Sequence, residues 1–366
     1  MSFKNIYQGK KVLITGHTGF KGSWLSRWLI HLNADIVGIS LALPSIPNNF
    51  SICNISNEIK DIRLDIREKE ALRKVIIDEK PDFIFHLAAQ AIVRKSYKDP
   101  HDTWSTNLIG TINLLEAVRG LDVMCSVVLV TSDKCYRNSE WLWGYRENDM
   151  LGGIDPYSAS KAAAELAFSS YAESFFGNNN QNIRIATARA GNVIGGGDWA
   201  EDRLVPDCAR AWSNNLLPAI RNPHATRPWQ HVLEPLSGYL CLGQKLSENI
   251  SQHGESFNFG PTVNNNHAVV DLVKEMSKHW KLVKWNDVST KSENDLYEAG
   301  LLRLNCDKAL SRLSWSPTLE FEETVKMTSE WYRNYYQGDT DMSVKTLDQI
   351  LEYEHKARRL GINWAH

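Results

Sequence analysis

The sequence has no long apolar run and almost no net charge. No window approaches the roughly 18 uninterrupted apolar residues that a membrane-spanning helix needs, and residues 1–16 pass straight into a strand pattern without an apolar signal segment. The 41 basic and 43 acidic residues give a formal net charge of −2, which excludes a basic nucleic-acid-binding surface spread over the whole protein. We therefore expect no membrane or nucleic-acid partner, and we expect any anionic ligand to be bound by particular residues.

Cysteines are few and scattered, and several catalytic motifs are missing. The six cysteines include no CxxC pair, so neither disulfides nor a structural zinc site is expected, and we predict reduced thiols in a cytoplasmic protein. There is no HExxH motif, no Walker A loop and no GxSxG elbow, which argues against the hydrolytic and NTPase chemistries of those motifs. The sequence predicts no metal ligands.

Strand and helix signals alternate through the first half of the chain. Near-continuous apolar strands separated by amphipathic helices indicate a parallel sheet covered on both faces. Strands are predicted at Lys11–Thr15, Ile36–Leu41, Ile59–Ile66, Phe83–Leu87, Val127–Val130 and Ile183–Thr187, and helices at Phe20–Leu32, Arg67–Glu79, Thr103–Val118 and Ser158–Phe176. The fold class is therefore α/β, with a doubly wound parallel sheet (a Rossmann fold).

The pattern changes after about residue 190. Three consecutive glycines, several prolines and many tryptophans interrupt the alternation, and short helices at Leu204–Trp212 and Ala268–Trp280 are separated by polar loops. We predict a nucleotide-binding domain over 1–190 and a smaller, mainly substrate-binding C-terminal lobe over 191–366. A segment near 230–265 is expected to return to the sheet.

A glycine-rich turn joins the first strand to the first helix. Glycines in a GxxGxxG pattern permit a tight turn and close approach of the backbone to a pyrophosphate, which the free N–H groups of the helix then bind. This turn predicts a dinucleotide site formed by Gly16, His17, Thr18, Gly19, Phe20, Lys21 and Gly22.

The end of the second predicted strand lacks the acidic residue that commonly binds the ribose of NAD. Ser40 is the only polar side chain there, and no arginine stands there to bind a 2′-phosphate, so NAD is favoured over NADP. Asp65, at the end of the third strand, is a candidate acceptor for the adenine amino group.

Tyr157 and Lys161 form the second signal. Pro156 suits the start of a helix, and a spacing of four residues places the tyrosine and lysine side chains on one helix face. A tyrosine hydroxyl ionises near pH 10, and a nearby ammonium together with an oxidised nicotinamide should lower that pKa. The pair thus predicts a general base for oxidising an alcohol.

The third signal, Thr131-Ser132-Asp133-Lys134, follows the fifth predicted strand. Catalytic groups of open α/β sheets lie at the carboxyl ends of strands, and hydroxyl, carboxyl and amine side chains here could anchor an oxygen and transfer protons. On the tetrapeptide alone, a solvated turn that caps a helix is the preferred interpretation.

Together these motifs resemble the extended short-chain dehydrogenases/reductases over nearly the whole chain. The resemblance rests on Gly16–Gly22, Asp65, His86–Gln90, Asn107, Tyr157 and Lys161. Four longer segments are similar to the CDP-glucose 4,6-dehydratase group of that family: residues 16–24, 131–136, 189–199 and 227–232.

The resemblance implies that CDP-glucose is the substrate and that hydride passes from sugar C4 to C6 through NAD, in deoxysugar biosynthesis such as that of lipopolysaccharide O-antigen. Tyr157, supported by Lys161, would take the 4-hydroxyl proton, and Ser132 would hold the 4-oxygen. Lys134 would remove the C5 proton, and Asp133 would protonate the departing 6-hydroxyl. Related dTDP-sugar dehydratases carry Asp-Glu at these last two positions, so the lysine amine must be neutral to act as the base.

The resemblance also implies further contacts and a dimer. Additional cofactor contacts are expected at Ile66, Leu87, Ala88, Ala89 and Asn107, and substrate contacts at Asn192, Asp198, Trp199, Arg203, Leu204, Arg227 and Asn258. The helices Thr103–Val118 and Ser158–Phe176 are the expected interface of a homodimer or a dimer-based oligomer. Two other readings stay open, a sugar-nucleotide epimerase or another NDP-sugar dehydratase, and a non-catalytic NAD-binding protein. The second of these should have lost Tyr157 or Lys161.

Overall fold

A parallel sheet of seven strands forms the centre of the protein. The computed structural model describes residues 2–177, 182–262, 267–280, 284–288 and 301–366. The strands are β1 Lys11–Thr15, β2 Asp35–Ser40, β3 Lys60–Arg63, β4 Phe83–His86, β5 Cys125–Val130, β6 Ile183–Arg189 and β7 Ser256–Asn258. Their order across the sheet is β7-β6-β5-β4-β1-β2-β3, and every neighbouring pair is parallel.

Helices surround the sheet and build the C-terminal region. Those described are α1 Phe20–His31, α2 Asn49–Ile52, α3 Lys69–Glu79, α4 Val93–Lys98, α5 Pro100–Trp104, α6 Gly110–Arg119, α7 Pro156–Phe175, α8 Leu204–Ser213, α9 Leu233–Glu248, α10 Val269–Ser277, α11 Asp307–Leu313, α12 Phe321–Gln337 and α13 Met342–Arg359. Two-residue strands pair Val193–Ile194 with Gln230–His231, Thr226–Arg227 with His267–Ala268, and Ala219–Ile220 with Asn286–Asp287. None of the described helices is long and apolar enough to cross a membrane.

The strands are apolar along their length because helices cover both faces of the sheet. Val12 and Ile14 of β1 pack in the same cluster as α1 and α9, whereas Leu13 packs in the opposite cluster with α3, α6 and α7. Successive side chains of a strand point to opposite faces, so each face receives its own apolar set. The predicted doubly wound α/β fold is confirmed.

The predicted single helix Thr103–Val118 is divided in three. It consists of the end of α5, a π-helical turn at Ser105–Ile109, and α6. Asn107 lies in that turn, and its carbonyl accepts a hydrogen bond from the Thr111 hydroxyl at 2.7 Å. Such turns insert one extra residue and often re-aim a side chain at a functional site, which a simple helical period does not reveal.

The order of strands reverses between β1 and β4, because β2 and β3 lie on one side of β1 and β4 to β7 lie on the other. Ligands of doubly wound folds bind in the crevice outside the strand ends at such a switch point. The glycine-rich turn follows β1, and Leu87–Ala89 follow β4 at the same edge. The topology therefore places the predicted nucleotide loop at the crevice.

The C-terminal region is joined to the sheet by a shared apolar core. The cluster that contains α1 and α9 continues through α12 and α13, and Trp28 of α1 donates a hydrogen bond to Glu354 of α13 at 2.8 Å. Strand β7, which falls within the segment expected to return to the sheet, pairs with β6; residues 263–265 of that segment lie outside the described part of the chain. The boundary at residue 190 stays a prediction.

Glu234 is a buried carboxyl group at this junction. It accepts hydrogen bonds from the backbone N–H groups of Thr318 and Leu319 and from the Tyr353 hydroxyl. Burial nevertheless raises the pKa of Glu234 to about 7, because removal from water penalises the ionised form more than these donors stabilise it.

We expect Glu234 to make stability depend on pH. An acid whose pKa is raised by folding contributes most below its unfolded pKa, and that contribution is lost as the pH rises to the folded value. Replacing the carboxyl by the amide in Glu234→Gln removes this titration. Urea unfolding should therefore show wild type losing roughly 3 kcal/mol relative to the variant between pH 4.5 and 7.5. Parallel pH profiles of the two proteins would contradict this.

Candidate active site

A large pocket opens at the switch point. Its lining includes the carboxyl ends of β1 to β5, the starts of α1 and α7, and parts of the segment 190–229. The pocket volume is about 1540 Å³, which exceeds the roughly 300–1,000 Å³ of an ordinary small-molecule site. It has room for two extended ligands side by side.

The glycine-rich turn forms a cradle that side chains would fill. Gly16 has a φ of +76°, and a Cβ there would lie 2.7 Å from the backbone nitrogen of Ala88. A Cβ on Gly22 would lie 2.1 Å from the Gly16 carbonyl oxygen. The loop can therefore close tightly only with glycine at both positions, and it leaves the first N–H groups of α1 facing the pocket. This geometry fits a dinucleotide pyrophosphate.

The His17 side chain turns away from the pocket. Its ring is buried against Gly38, where a Cβ would meet it at 2.5 Å, and its Nε2 lies 2.9 Å from the Asp61 carboxylate. Burial lowers the pKa of His17 despite this acidic partner. The predicted cofactor contact of His17 is thus limited to its backbone. The imidazole packs between the glycine-rich turn and Gly38.

Ser40 and Asp65 line the pocket at the edge formed by β2 and β3. The Ser40 hydroxyl lies 2.8 Å from that of Thr18. Asp65 accepts hydrogen bonds from the Arg67 guanidinium, which lower the pKa of the Asp65 carboxyl. Arg63, from the neighbouring strand, reaches the end of β2 and donates to the Leu41 carbonyl at 2.7 Å, but it does not line the pocket.

The wall after β4 is formed by Leu87, Ala88 and Ala89, and Ile66 lines the pocket beside Asp65. Asn107 lies behind this wall. Its amide accepts from the Gln90 N–H at 2.8 Å and donates to the Gln90 carbonyl at 3.0 Å and the Ser160 hydroxyl at 2.9 Å. Asn107 therefore joins the β4 loop to helix α7, rather than reaching into the pocket.

The residues after β5 form a short 3₁₀ turn. Ser132 caps it: its hydroxyl accepts from the Lys134 N–H at 3.2 Å and donates to the Asp133 carboxylate at 3.0 Å. Asp133 is buried, and a Cβ on Gly191 would lie 1.9 Å from its Oδ2, so only glycine permits this position. All three side chains line the pocket.

Tyr157 and Lys161 face the same pocket from the first two turns of α7. Pro156 occupies the first helical position as predicted, and Asp155 caps the helix by accepting from the Ser158 N–H at 2.9 Å. Both Tyr157 and Lys161 are buried, and Lys161 Nζ donates to the Val130 carbonyl at 3.5 Å. The predicted catalytic residues of β5 and α7 are therefore brought together.

Their electrostatics differ from the sequence-based expectation. Burial raises the pKa of Tyr157 to about 12, although a hydrogen bond with Ser132 and the charge of Arg203 act to lower it. Burial lowers the pKa of Lys161 to about 8, while the Glu165 carboxylate raises it. The protein without a bound ligand therefore does not lower the pKa of Tyr157.

A buried ion pair lies beneath these groups. Arg189 of β6 donates to Glu165 of α7 at 2.7 Å, and Glu165 also accepts hydrogen bonds from Thr131, Thr187 and Ser256. Glu165 stands one helical turn after Lys161, so its spacing offered a signal. Its partner Arg189 begins the segment 189–199 that carries the resemblance, but that segment did not indicate a contact with α7.

Lys21, in the glycine-rich turn, has a side chain that reaches helix α9. Its Nζ donates to the Tyr239 hydroxyl at 3.3 Å, from helix α9. Burial and the charges of Arg203 and Lys161 lower the pKa of Lys21 to about 7, with Asp133 acting in the opposite direction. Tyr239 was not predicted from the sequence, because 218 residues separate it from Lys21.

Residues 192–204 form the other half of the pocket. Arg203 is paired with Asp198 at 2.5 Å, and its charge also acts on Tyr157. Trp199 is buried and packs edge-on against Trp331 with ring centroids 5.6 Å apart. The predicted residues of this half that line the pocket are Asn192, Asp198, Trp199, Arg203, Leu204 and Arg227. Further cations line it that were not predicted: Arg94, Lys95, Lys98, Arg210 and Arg221.

Asn258 lies outside the pocket. It is fully buried, accepts from the Tyr136 hydroxyl at 2.8 Å and donates to the carbonyls of Tyr145 and Asn305 at 2.9 and 3.1 Å. These bonds use its amide to hold loops together. The position of Asn258 therefore does not support the predicted substrate contact.

Comparisons with known proteins agree with this geometry. Residues 13–328 match the family model described as GDP-mannose 4,6 dehydratase. The chain is 45% identical over 356 residues to the CDP-glucose 4,6-dehydratase of Salmonella typhimurium, covering 96% of this chain and 98% of that protein. It is 24% identical over 344 residues to the CDP-paratose 2-epimerase of Salmonella typhi, covering 88% and 98% of the two chains.

Solved structures share the fold. The UDP-glucuronic acid 4-epimerase of Bacillus cereus, in complex with UDP-glucuronic acid and NAD, superposes with a TM-score of 0.75 at 22% identity, covering 89% of this chain and 100% of that one. The epimerase Mth375 of Methanothermobacter thermautotrophicus gives a TM-score of 0.76 at 22% identity, covering 92% and 95%.

Breaking the pair beneath the site should destabilise the protein. Glu165→Gln or Arg189→Met alone leaves a buried, uncompensated group, so each should cost about 3–5 kcal/mol in urea unfolding. The double variant removes both charges and should lose less than the sum of the two single losses. Strictly additive losses would show that the pair is not coupled.

Proposed function

Because the chain belongs to the GDP-mannose 4,6-dehydratase family of extended short-chain dehydrogenases/reductases, we propose that it is an NAD-dependent hydro-lyase acting on CDP-D-glucose. The products are CDP-4-dehydro-6-deoxy-D-glucose and water, as in deoxysugar biosynthesis. The observation that carries this choice is the 45% identity to the Salmonella CDP-glucose 4,6-dehydratase over 96% of the chain. The site contributes an alcohol-oxidising pair and a second acid/base pair in one pocket.

The residues of the switch point suit NAD. The cradle of Gly16 and Gly22 would receive the pyrophosphate, and Ser40 and Asp65 would face the adenosine. NAD bound there would take hydride from sugar C4, return it to C6 and place a positive charge near Tyr157.

Oxidation of the sugar requires a base at its 4-hydroxyl. Tyr157 takes that proton, and Ser132, which hydrogen-bonds the phenol, holds the 4-oxygen. Burial raises the pKa of Tyr157, so the phenolate depends on cations at the site. Arg203 acts in that direction in the protein itself, and Lys161 anchors the end of β5 one helical turn away.

Loss of water requires a second base and an acid. The 4-ketone acidifies the C5 proton, which Lys134 removes, and Asp133 protonates the departing 6-oxygen. Lys134 is half-buried at the pocket wall, whereas Asp133 is buried and fixed between Ser132 and Gly191. Base and acid, which are neighbours in the chain, thus act on adjacent carbons of the sugar.

The nucleotide diphosphate extends into the half of the pocket lined by residues 192–227. Arg203 and Arg227 line it, and a guanidinium matches phosphate oxygens in a bidentate fork. Asp198 holds Arg203 in the free protein, so the diphosphate competes with this carboxylate.

The assembly and setting are also proposed. Leu166 and Phe175 of α7 are 61% and 40% exposed, and Ile109 before α6 is 47% exposed, which supports a homodimer through these helices. The six cysteines are unpaired, as suits a reducing cytoplasm. We assign the product to surface polysaccharides such as lipopolysaccharide O-antigen.

The direct test is turnover of CDP-D-glucose. Purified protein with NAD+ should convert it to a product that has lost one water, detected by mass spectrometry and NMR, without net formation of NADH. UDP-glucose, dTDP-glucose and GDP-mannose serve as competing substrates. Formation of one NADH per sugar converted, or turnover of one of the competing substrates but not of CDP-D-glucose, would contradict the proposal.

Variants should separate the two half-reactions. Lys134→Met should still oxidise C4, seen as a transient 4-keto sugar with reduced cofactor, but water loss should fall by about 10²–10⁴-fold because the C5 base is gone. Tyr157→Phe, the matched control, should block the first step by a similar factor, so that no reduced cofactor forms. Normal water loss in Lys134→Met would show that another group is the base.

A further inference from the structure

Gln230 is a buried glutamine whose side chain donates hydrogen bonds to two separate loops. It lies in the segment 227–232, one of the four that carry the resemblance, yet it does not line the pocket. The side chain is 1% exposed, and its amide nitrogen donates to the Gly191 carbonyl at 2.8 Å and to the Phe259 carbonyl at 3.1 Å. Gln230 therefore ties the loop after β6 to the loop after β7.

The loop after β6 has a backbone conformation that residues with side chains rarely adopt. Asn192 has a φ of +51°, in the left-handed region, and it lines the pocket. Such a conformation persists where the surrounding structure fixes it. The Gln230 N–H donates to the Asn192 carbonyl at 3.2 Å, while the side-chain amide holds the carbonyl of Gly191. Gln230 thus fixes two successive peptide groups of this loop.

The same loop packs directly against Asp133. The Asp133 N–H donates to the Ala190 carbonyl at 3.4 Å. Gly191 lies so close to the carboxylate that a Cβ on it would be 1.9 Å from Asp133 Oδ2. The place that the Asp133 carboxylate can occupy is therefore set by the position of residues 190–192, which Gln230 holds.

We propose that Gln230 is a positioning residue for the loss of water, because it keeps the loop 190–192 in the place that directs Asp133 toward the departing 6-oxygen. The inference rests on the proposed function, in which Asp133 is the acid of that step. Oxidation at C4 depends instead on Tyr157 of α7, to which Gln230 makes no hydrogen bond among the described residues. The two half-reactions should therefore respond differently to the loss of Gln230.

Single-turnover kinetics of the full chain with CDP-D-glucose and NAD+ test this. Gln230→Met keeps the length of the side chain and removes its two donors. Reduced nicotinamide, followed by its absorbance, should form at nearly the wild-type rate. Loss of water, followed by mass spectrometry, should slow by about 10- to 100-fold, as expected when a catalytic group is misplaced by about 1 Å. Reduced cofactor should therefore accumulate in this variant.

Gln230→Asn is the second variant. It keeps the amide but is one methylene shorter, so its nitrogen cannot reach both carbonyls from the same backbone position. We expect the same selective slowing of water loss, to a smaller extent than in Gln230→Met. If Gln230→Met does not fold, the rates of the two half-reactions in Gln230→Asn decide the question.

Gln349→Met is the matched control for loss of a buried amide. Gln349 of α13 is also 1% exposed and donates to a backbone carbonyl, that of Met327, at 2.8 Å, but it does not line the pocket. In both glutamines the amide oxygen has no hydrogen-bond partner among the described residues. Both methionine variants should unfold at lower urea concentration than wild type, because a buried carbonyl loses a donor. Gln349→Met should nevertheless lose water from the sugar at the wild-type rate.

A double variant shows whether Gln230 acts through Asp133. Asp133→Asn removes the acid and should slow water loss by about 10²–10⁴-fold. In that background Gln230→Met should slow water loss little further, because the group that it positions is already gone. Effects that simply multiply would show that Gln230 acts on another group, and they would overturn the proposal.

The remaining outcomes separate this inference from the proposed function. Equal slowing of oxidation and water loss in the Gln230 variants, or wild-type rates of both steps, would overturn the positioning role. Normal water loss in Asp133→Asn would overturn it together with the assignment of the acid. Absence of CDP-D-glucose turnover by wild type would instead overturn the proposed function itself.

Discussion

The buried ion pair between Glu165 and Arg189 is the interaction on which the site depends. It joins helix α7 to β6, and hydroxyls from the end of β5 and from β7 donate to the same carboxylate. The two candidate catalytic segments, Thr131–Lys134 and Tyr157–Lys161, begin directly from the elements that this pair and its hydrogen bonds hold together. A charge pair in a low-dielectric interior tolerates little displacement, because each hydrogen bond lost exposes an uncompensated charge. The register of β5 against α7 is thereby set.

In the pocket next to this ion pair, charged side chains are distributed unevenly. Arginines and lysines line both halves of the pocket. Five of them are paired with carboxylates: Arg94 and Arg221 with Asp202, Lys95 with Asp102, Arg203 with Asp198, and Arg210 with Asp207. Such an arrangement suits two ligands that each carry a diphosphate, and the overall charge of −2 shows that it is local. Burial has opposite effects on the groups at the centre: it raises the pKa of Tyr157 and lowers the pKa of Lys161 and Lys21. Proton transfer at this centre therefore responds to the charge of whatever is bound.

Features that depend on residues close together in the sequence could be predicted well. The glycine-rich turn, the Tyr157–Lys161 helix face and the apolar strands all depend on neighbours within about four residues, and the structure brings those residues to one pocket. The contacts predicted for Asn258 and His17 stay predictions, and the structure directs both side chains away from the pocket. Asn258 bonds to loops rather than lining the pocket, and His17 turns behind the glycine loop because Gly38 leaves room for its ring. Both have side chains whose direction is set by distant packing.

The sequence by itself determined the fold class, and it singled out the glycine-rich turn and the candidate catalytic pairs, since periodicity and glycine placement are local properties of a chain. Only the tertiary structure decided the electrostatics. The pairing of Lys21 with Tyr239, the pairing of Glu165 with Arg189 and the rise in the Tyr157 pKa all arise from residues far apart in sequence that exclude water from one another. Desolvation is a property of the packed interior, and it is absent from the extended chain.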